Sequence, residues 1–146
     1  MNNMKKYNDL EMSILSCLLL RPEYMESLII EDKHFIKHKK LWVFMKEFYN
    51  KFHNFDLVLM CSINKNRYEM ISYIEMLLDV EPAPSLCLEY QRQLIDLYNE
   101  EKKERYKIEK IYELANSLLV RNITTKEFGL KVNEVFKNAN EIFKEN

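Results

Sequence analysis

The sequence predicts an all-α protein: a compact helical bundle followed by a long C-terminal helical hairpin. Three observations carry that reading. The 146 residues include one glycine, Gly129, and three prolines, Pro22, Pro82 and Pro84, too few turn-formers for an all-β or Rossmann-like chain. Hydrophobic residues make up 47% of the chain, enough for a continuous core without disulfides or metal. Between these breakers, apolar residues recur at spacings of three and four.

The first helix is expected from Asn8 or Asp9, a start suited to an N-cap, to Leu20, where Leu10, Ile14, Leu15, Cys17, Leu18 and Leu19 make a broad apolar face. Arg21-Pro22 ends it, because proline disfavours helical geometry in the residue before it. Pro22 can then open a short second helix through Ile30. A third, amphipathic helix is expected over Ile36 to Phe52, with Leu41, Phe44, Met45, Phe48 and Phe52 on one face and Lys39, Lys40, Lys46, Glu47 and Lys51 on others. Asp56 is placed to cap a fourth segment to Ile63. Tyr68 to Leu78 forms a fifth, with Met70, Ile71, Ile74, Leu77 and Leu78 facing inward.

Pro82-Ala-Pro84-Ser85 is the strongest punctuation in the chain, and Ser85 can cap the next helix. A boundary here divides one domain into a bundle subdomain, 1–84, and a hairpin subdomain, 85–146. No breaker interrupts Ser85 to Val120, so one long helix is expected, its charged middle, Asn99 to Lys107, exposed. The apolar pattern resumes at Ile108, Ile111, Tyr112, Ala115, Leu118 and Leu119. It recurs after Asn122 to Thr125 at Phe128, Val132, Val135, Phe136, Ala139, Ile142 and Phe143. Two antiparallel helices cannot cover both stripes, so a further surface should do so. The expected protein interface is therefore Ile108, Ile111, Tyr112, Leu118, Val132, Val135, Phe136 and Phe143.

The 22 basic and 23 acidic residues leave a net charge of −1, which gives no general attraction to nucleic acid or anionic membranes. The dense apolar run from Ile14 to Leu20 is far short of the ~20 residues a bilayer needs, and the amino end lacks a secretory pattern. A cytoplasmic protein is expected. Cys17, Cys61 and Cys87 are odd in number, widely spaced and set among apolar neighbours, as reduced packing residues would be. A zinc site from Cys61, Cys87, His34 and His38 lacks any Cys-x-x-Cys spacing, so no metal or cofactor is expected.

Catalysis finds no support either. A nucleotide-hydrolysing motor needs a glycine-rich loop ending in Gly-Lys-Ser/Thr, and Gly129 alone cannot supply it. Glu100-Glu101 reads as a solvated helix face. The one segment suited to nucleic acid is Lys37-His38-Lys39-Lys40 beside Trp42, where lysines could meet phosphates and the indole a base. The same residues fit a solvated helix start with Trp42 at the core edge, and Lys102, Lys103 and Arg105 alternate with Glu100, Glu101 and Glu104. Direct DNA binding is not expected.

The run Asp9-Leu-Glu-Met-Ser-Ile-Leu-Ser-Cys-Leu-Leu-Leu-Arg-Pro-Glu23 resembles the opening of the N-terminal domain of DnaB-type replicative DNA helicases. The likeness continues through Phe35 and His38, Asp56, the proline-bearing break and Tyr90. It departs at Ser16, Cys17 and at Asn64 to Arg67, where the family has small residues and a glycine-bearing turn. In that family the domain forms a collar whose hairpins pair between subunits and whose surface meets primase and influences the loader. The resemblance implies a DnaB N-terminal-domain-like fold, here free-standing and without the ATPase domain. It also implies a non-enzymatic replication adaptor that binds or modulates a replicative helicase, loader or primase. Homodimers or higher oligomers through the hairpin are expected, and a phage or mobile-element source fits. A DNA-binding module using residues 37–42 and a generic helical oligomerisation protein are the alternatives.

Overall fold

The first helix begins earlier than its expected capping residues. In the computed structural model, which describes residues 3–144, α1 spans Met4–Leu20. Tyr7 is buried and extends the face of Ile14, Leu15 and Leu18 toward the amino end. Asn8 is therefore inside the helix, and its Oδ1 meets His38 Nε2 at 2.8 Å instead of capping. An amide oxygen can only accept, so His38 Nε2–H donates this bond, and burial, with the charge of Lys37, holds the His38 ring below its ordinary pKa.

Pro22 opens a 3-10 turn, Pro22–Ser27, shorter than the helix to Ile30 that the sequence suggests. A second 3-10 turn, Asp32–His34, is closed by a capping box in which the Glu31 N–H donates to His34 Nδ1 at 2.9 Å. Helix α2 then runs Lys39–Phe52, three residues later than expected. The reason is Glu11. Its side chain is fully buried on the core face of α1 and accepts the backbone N–H groups of Ile36, Lys37 and His38 at 3.3, 3.1 and 2.8 Å. The carboxylate thus gathers the N–H groups of the three residues that lead into α2, beside the positive dipole end of that helix. Burial pushes the Glu11 carboxyl above the ordinary range, and the three backbone donors and Lys37 pull it partly back.

Trp42 lies wholly inside, stacked on Phe35 with ring centroids 4.7 Å apart. Its Nε1–H donates to Asp32 Oδ1 at 2.7 Å, and Lys46 Nζ bonds the same oxygen at 2.7 Å. Lys46 first, then Trp42, holds the Asp32 carboxyl below its usual range. Helix α3, Leu57–Ile63, starts as expected, with Asp56 accepting the Leu59 N–H at 2.9 Å. Asparagines build the next turn: Asn64 Oδ1 accepts the Asn66 N–H, and Asn66 Oδ1 accepts the Glu69 N–H to cap α4, Arg67–Asp79. Met70, Ile74 and Leu77 are buried as expected, whereas Leu78 is 50% exposed because α4 packs along α1 and α3 through its other face. Ser16 Oγ donates to Leu77 O at 2.6 Å.

A third 3-10 turn, Pro84–Leu86, precedes α5, Cys87–Leu119, so Ser85 lies within that turn and caps nothing. The chain divides into two compact units between Ile95 and Asp96, within α5. Cys87, Gln91 and Leu94 at the start of α5 are buried, and Gln91 Oε1 accepts the Ile29 N–H at 2.9 Å. In the second unit, α5 ends in paired bonds from Asn122 N–H to Ser117 O and Arg121 N–H to Leu118 O. Arg121 takes the left-handed conformation, φ 60°, that glycine more often fills. Helix α6, Thr125–Ile142, opens with a capping box of Thr124 and Glu127. Among the described residues there is no strand, and no helix is long and apolar enough to cross a membrane.

The buried acid and the buried indole of this core are both open to measurement. Glu11→Gln places an NH₂ against backbone donors and should lower the unfolding free energy by about 2–3 kcal/mol. Because the folded carboxyl titrates above its unfolded value, the contribution of Glu11 is greatest at acid pH and declines as pH rises through the window between the two. Urea melts across that window should show the gap between wild type and variant narrowing with pH; a widening gap would mean the hydrogen bonds outweigh burial. The single tryptophan should emit with a blue-shifted maximum, resist acrylamide, and leave its emission unchanged when single-stranded DNA is added. A red-shifted, readily quenched indole would place Trp42 outside the core.

Candidate protein-interaction surface

The second unit has the smaller core. Among its described residues only Val135 and Ala139, both on α6, are buried apolar side chains. They are four positions apart, so a single line of α6 is covered. Tyr106 meets Phe143 edge-on with centroids 5.7 Å apart, and Lys107 Nζ lies 5.3 Å from the Phe136 ring centroid while pairing with Glu104 at 2.9 Å. These contacts join the two helices through aromatic edges and aliphatic stems.

The expected interface residues divide by depth. Val135 is in the seam, so it is part of the folded hairpin's own core. Ile111, Leu118, Val132 and Phe143 are half-buried. Ile108 and Tyr112, each 67% exposed, and Phe136, 44% exposed, present apolar surface to solvent. Leu119, Val120, Leu130 and Ile142 add further exposed apolar side chains outside the expected set. Leu119 and Ile142 belong to the apolar pattern of the sequence, whereas Val120 lies at the helix end and Leu130 off the main spacing. Gly129 falls three and seven positions before Val132 and Phe136, and a Cβ there would meet nothing within 4 Å.

The other sequence candidates have different surroundings. Lys37, Lys39 and Lys40 are exposed, but Trp42 is enclosed by Phe35 and Asp32, so the basic residues and the indole do not form one face for a nucleic acid. His34 and His38 bond Glu31 and Asn8, Gln91 Nε2 donates to Cys87 Sγ at 3.5 Å, and Cys17, Cys61 and Cys87 are free. No group of three or more His, Cys, Asp or Glu among the described residues is arranged to hold a metal. What the arrangement offers is contact surface: partly exposed aliphatic and aromatic groups on a helical pair, with lysines at its edge.

Comparison with known proteins bears on the first unit. No curated protein and no solved structure matches the chain. The family model described as DnaB-like helicase N terminal domain matches residues 3–96, more than half of the 146, and its limit falls beside the division between the two compact units. The buried carboxylate of Glu11, the Asp56 cap and the packing of α1 on α4 all lie within that match. The all-helical fold and the matched residues together show that this chain belongs to the DnaB-like helicase N-terminal domain family.

Proposed function

We propose that this protein is a non-catalytic interaction module of DNA replication that binds a replicative helicase, its loader or a primase and self-associates through the hairpin of α5 and α6. The observation that carries the reading is the exposure of Ile108, Tyr112 and Phe136 on a unit whose own apolar core is Val135 and Ala139. Covering a fully exposed side chain of this size contributes about 1.5–3 kcal/mol, so three partly exposed ones supply a useful share of an interface. Gly129 on the same line of α6 lets a partner's backbone approach closely. Family membership directs the choice of partners to the helicase and the proteins that meet it. In this role the module supports replication or, as a phage or mobile-element product, competes with a host assembly.

Light scattering on the chain alone, and mixed separately with a replicative helicase, its loader and its primase, tests the proposal. A mass above that of one 17.8 kDa chain and a stable complex with one of the three are expected. Tyr112→Asp should weaken association at least tenfold while preserving helix content, because Tyr112 is exposed. Val135→Asp should melt the hairpin itself. A monomer that joins none of the three, or association unchanged by Tyr112→Asp, contradicts the proposal.

A further inference from the structure

The first unit carries an open groove that the proposed hairpin interface leaves unused. It has two adjoining parts, of about 620 and 140 Å³, and Lys40, Leu41 and Tyr73 line both. The larger part is lined on its apolar side by Ile36, 46% exposed, and by half-buried Val43 and Tyr73. Its rim is basic. Lys37, Lys39 and Lys40 are exposed, and none of the ion pairs found among the described residues involves them.

These lysines stand at the start of α2, which has no acidic residue in its first turn. Positive side chains at the positive end of a helix dipole oppose helix stability, so their placement asks for compensation. Glu11 attracts Lys37 through space, but it is fully buried and its oxygens are taken by backbone donors, so it offers no carboxylate at the rim. Asp32 attracts Lys39 in the same way but is paired with Lys46. The larger part of the groove therefore lacks negative charge at its rim and apolar cover at its floor, whereas the smaller part carries Glu69, which accepts from Asn66 Nδ2 at 3.1 Å.

We propose that this groove binds an acidic amphipathic segment of a partner protein, with carboxylates on Lys37, Lys39 and Lys40 and apolar side chains against Ile36, Val43 and Tyr73. A helix laid in a groove presents both chemistries at spacings of three and four. The observations favour a peptide over nucleic acid. Trp42 is enclosed, Tyr73 is edge-on to His38 at 5.9 Å, and the exposed floor residue Ile36 has nothing to offer a base. The groove lies on residues 36–73, so the proposal does not depend on the hairpin.

A library of random dodecapeptides panned against the intact chain tests this, with the affinity of the selected peptides read by fluorescence anisotropy. The controls are Lys39→Glu/Lys40→Glu and Ile36→Ser. The first adds acids where the α2 dipole welcomes them, and the second leaves the Ile36 backbone bond to Glu11 in place, so both should retain wild-type circular dichroism. Selected peptides should combine Asp or Glu with apolar residues three or four apart. Their affinity should fall about tenfold in the charge-reversed variant and by a smaller factor in Ile36→Ser, and stay unchanged in Tyr112→Asp. Failure to enrich any peptide, enrichment without acidic residues, or affinity unaltered by both groove variants would overturn the proposal. Competition by a single-stranded oligonucleotide that binds the lysines more tightly than the peptides would overturn it in favour of nucleic acid.

Discussion

The carboxylate of Glu11 is the constraint on which the arrangement of the first unit depends. It sits on the core face of α1, four residues after Tyr7 and four before Leu15, where an unpaired charge would be costly. Three consecutive backbone N–H groups meet it, from residues 36–38, which lie just before the helix that begins at Lys39. That fixes the start of α2, and with it the inward aim of Trp42, Met45, Phe48 and Tyr49. It also sets Ile36, Lys37, Lys39 and Lys40 on the outside. One buried acid thus orders a core and, beside it, the basic rim of a groove.

The two units solve the problem of apolar surface differently. The first encloses a broad core that includes Tyr7, Phe35, Trp42, Met60, Met70 and Leu94, while leaving Val58 and Tyr68 on its surface, and joins distant segments through Ser16 to Leu77 and Gln91 to Ile29. The second has well-formed ends, with a left-handed Arg121 closing α5 and the Thr124–Glu127 box opening α6, yet a narrow seam between them. Terminal signals specify where helices stop and start; they do not cover the sides. Uncovered sides on a specified hairpin are the feature that an interaction module requires.

Much of this was legible in the sequence, for physical reasons. Periodicity placed the helices because most bury one face, and Asp56 marked its helix because its side chain caps locally. Family likeness was carried by the short apolar run of α1 and the punctuation at Pro22 and Pro82 to Pro84, within the matched residues. The features that were not legible depend on distant partners. Asn8 looked like a cap but pairs with His38, thirty positions away. Ser85 looked like a cap but lies inside a 3-10 turn. Glu11 gave a signal, an acid on an apolar stripe, whose meaning required the backbone of residues 36–38. In the hairpin, spacing found the apolar residues but could not separate the buried Val135 from its exposed neighbour Phe136, since adjacent positions on a helix differ by about 100° and only the packed partner decides between them.

The first unit holds a broad core of its own, and in the proposed role the second becomes covered through association. Amide hydrogen exchange along the whole chain, at low and high protein concentration and with the replicative helicase added, measures this most directly. Strong protection of α1 and α2 is expected under every condition, with amides of residues 106–143 exchanging quickly in the dilute chain and slowing on association. A hairpin as protected as α1 in the dilute chain, and unchanged by concentration or by the helicase, would contradict that role.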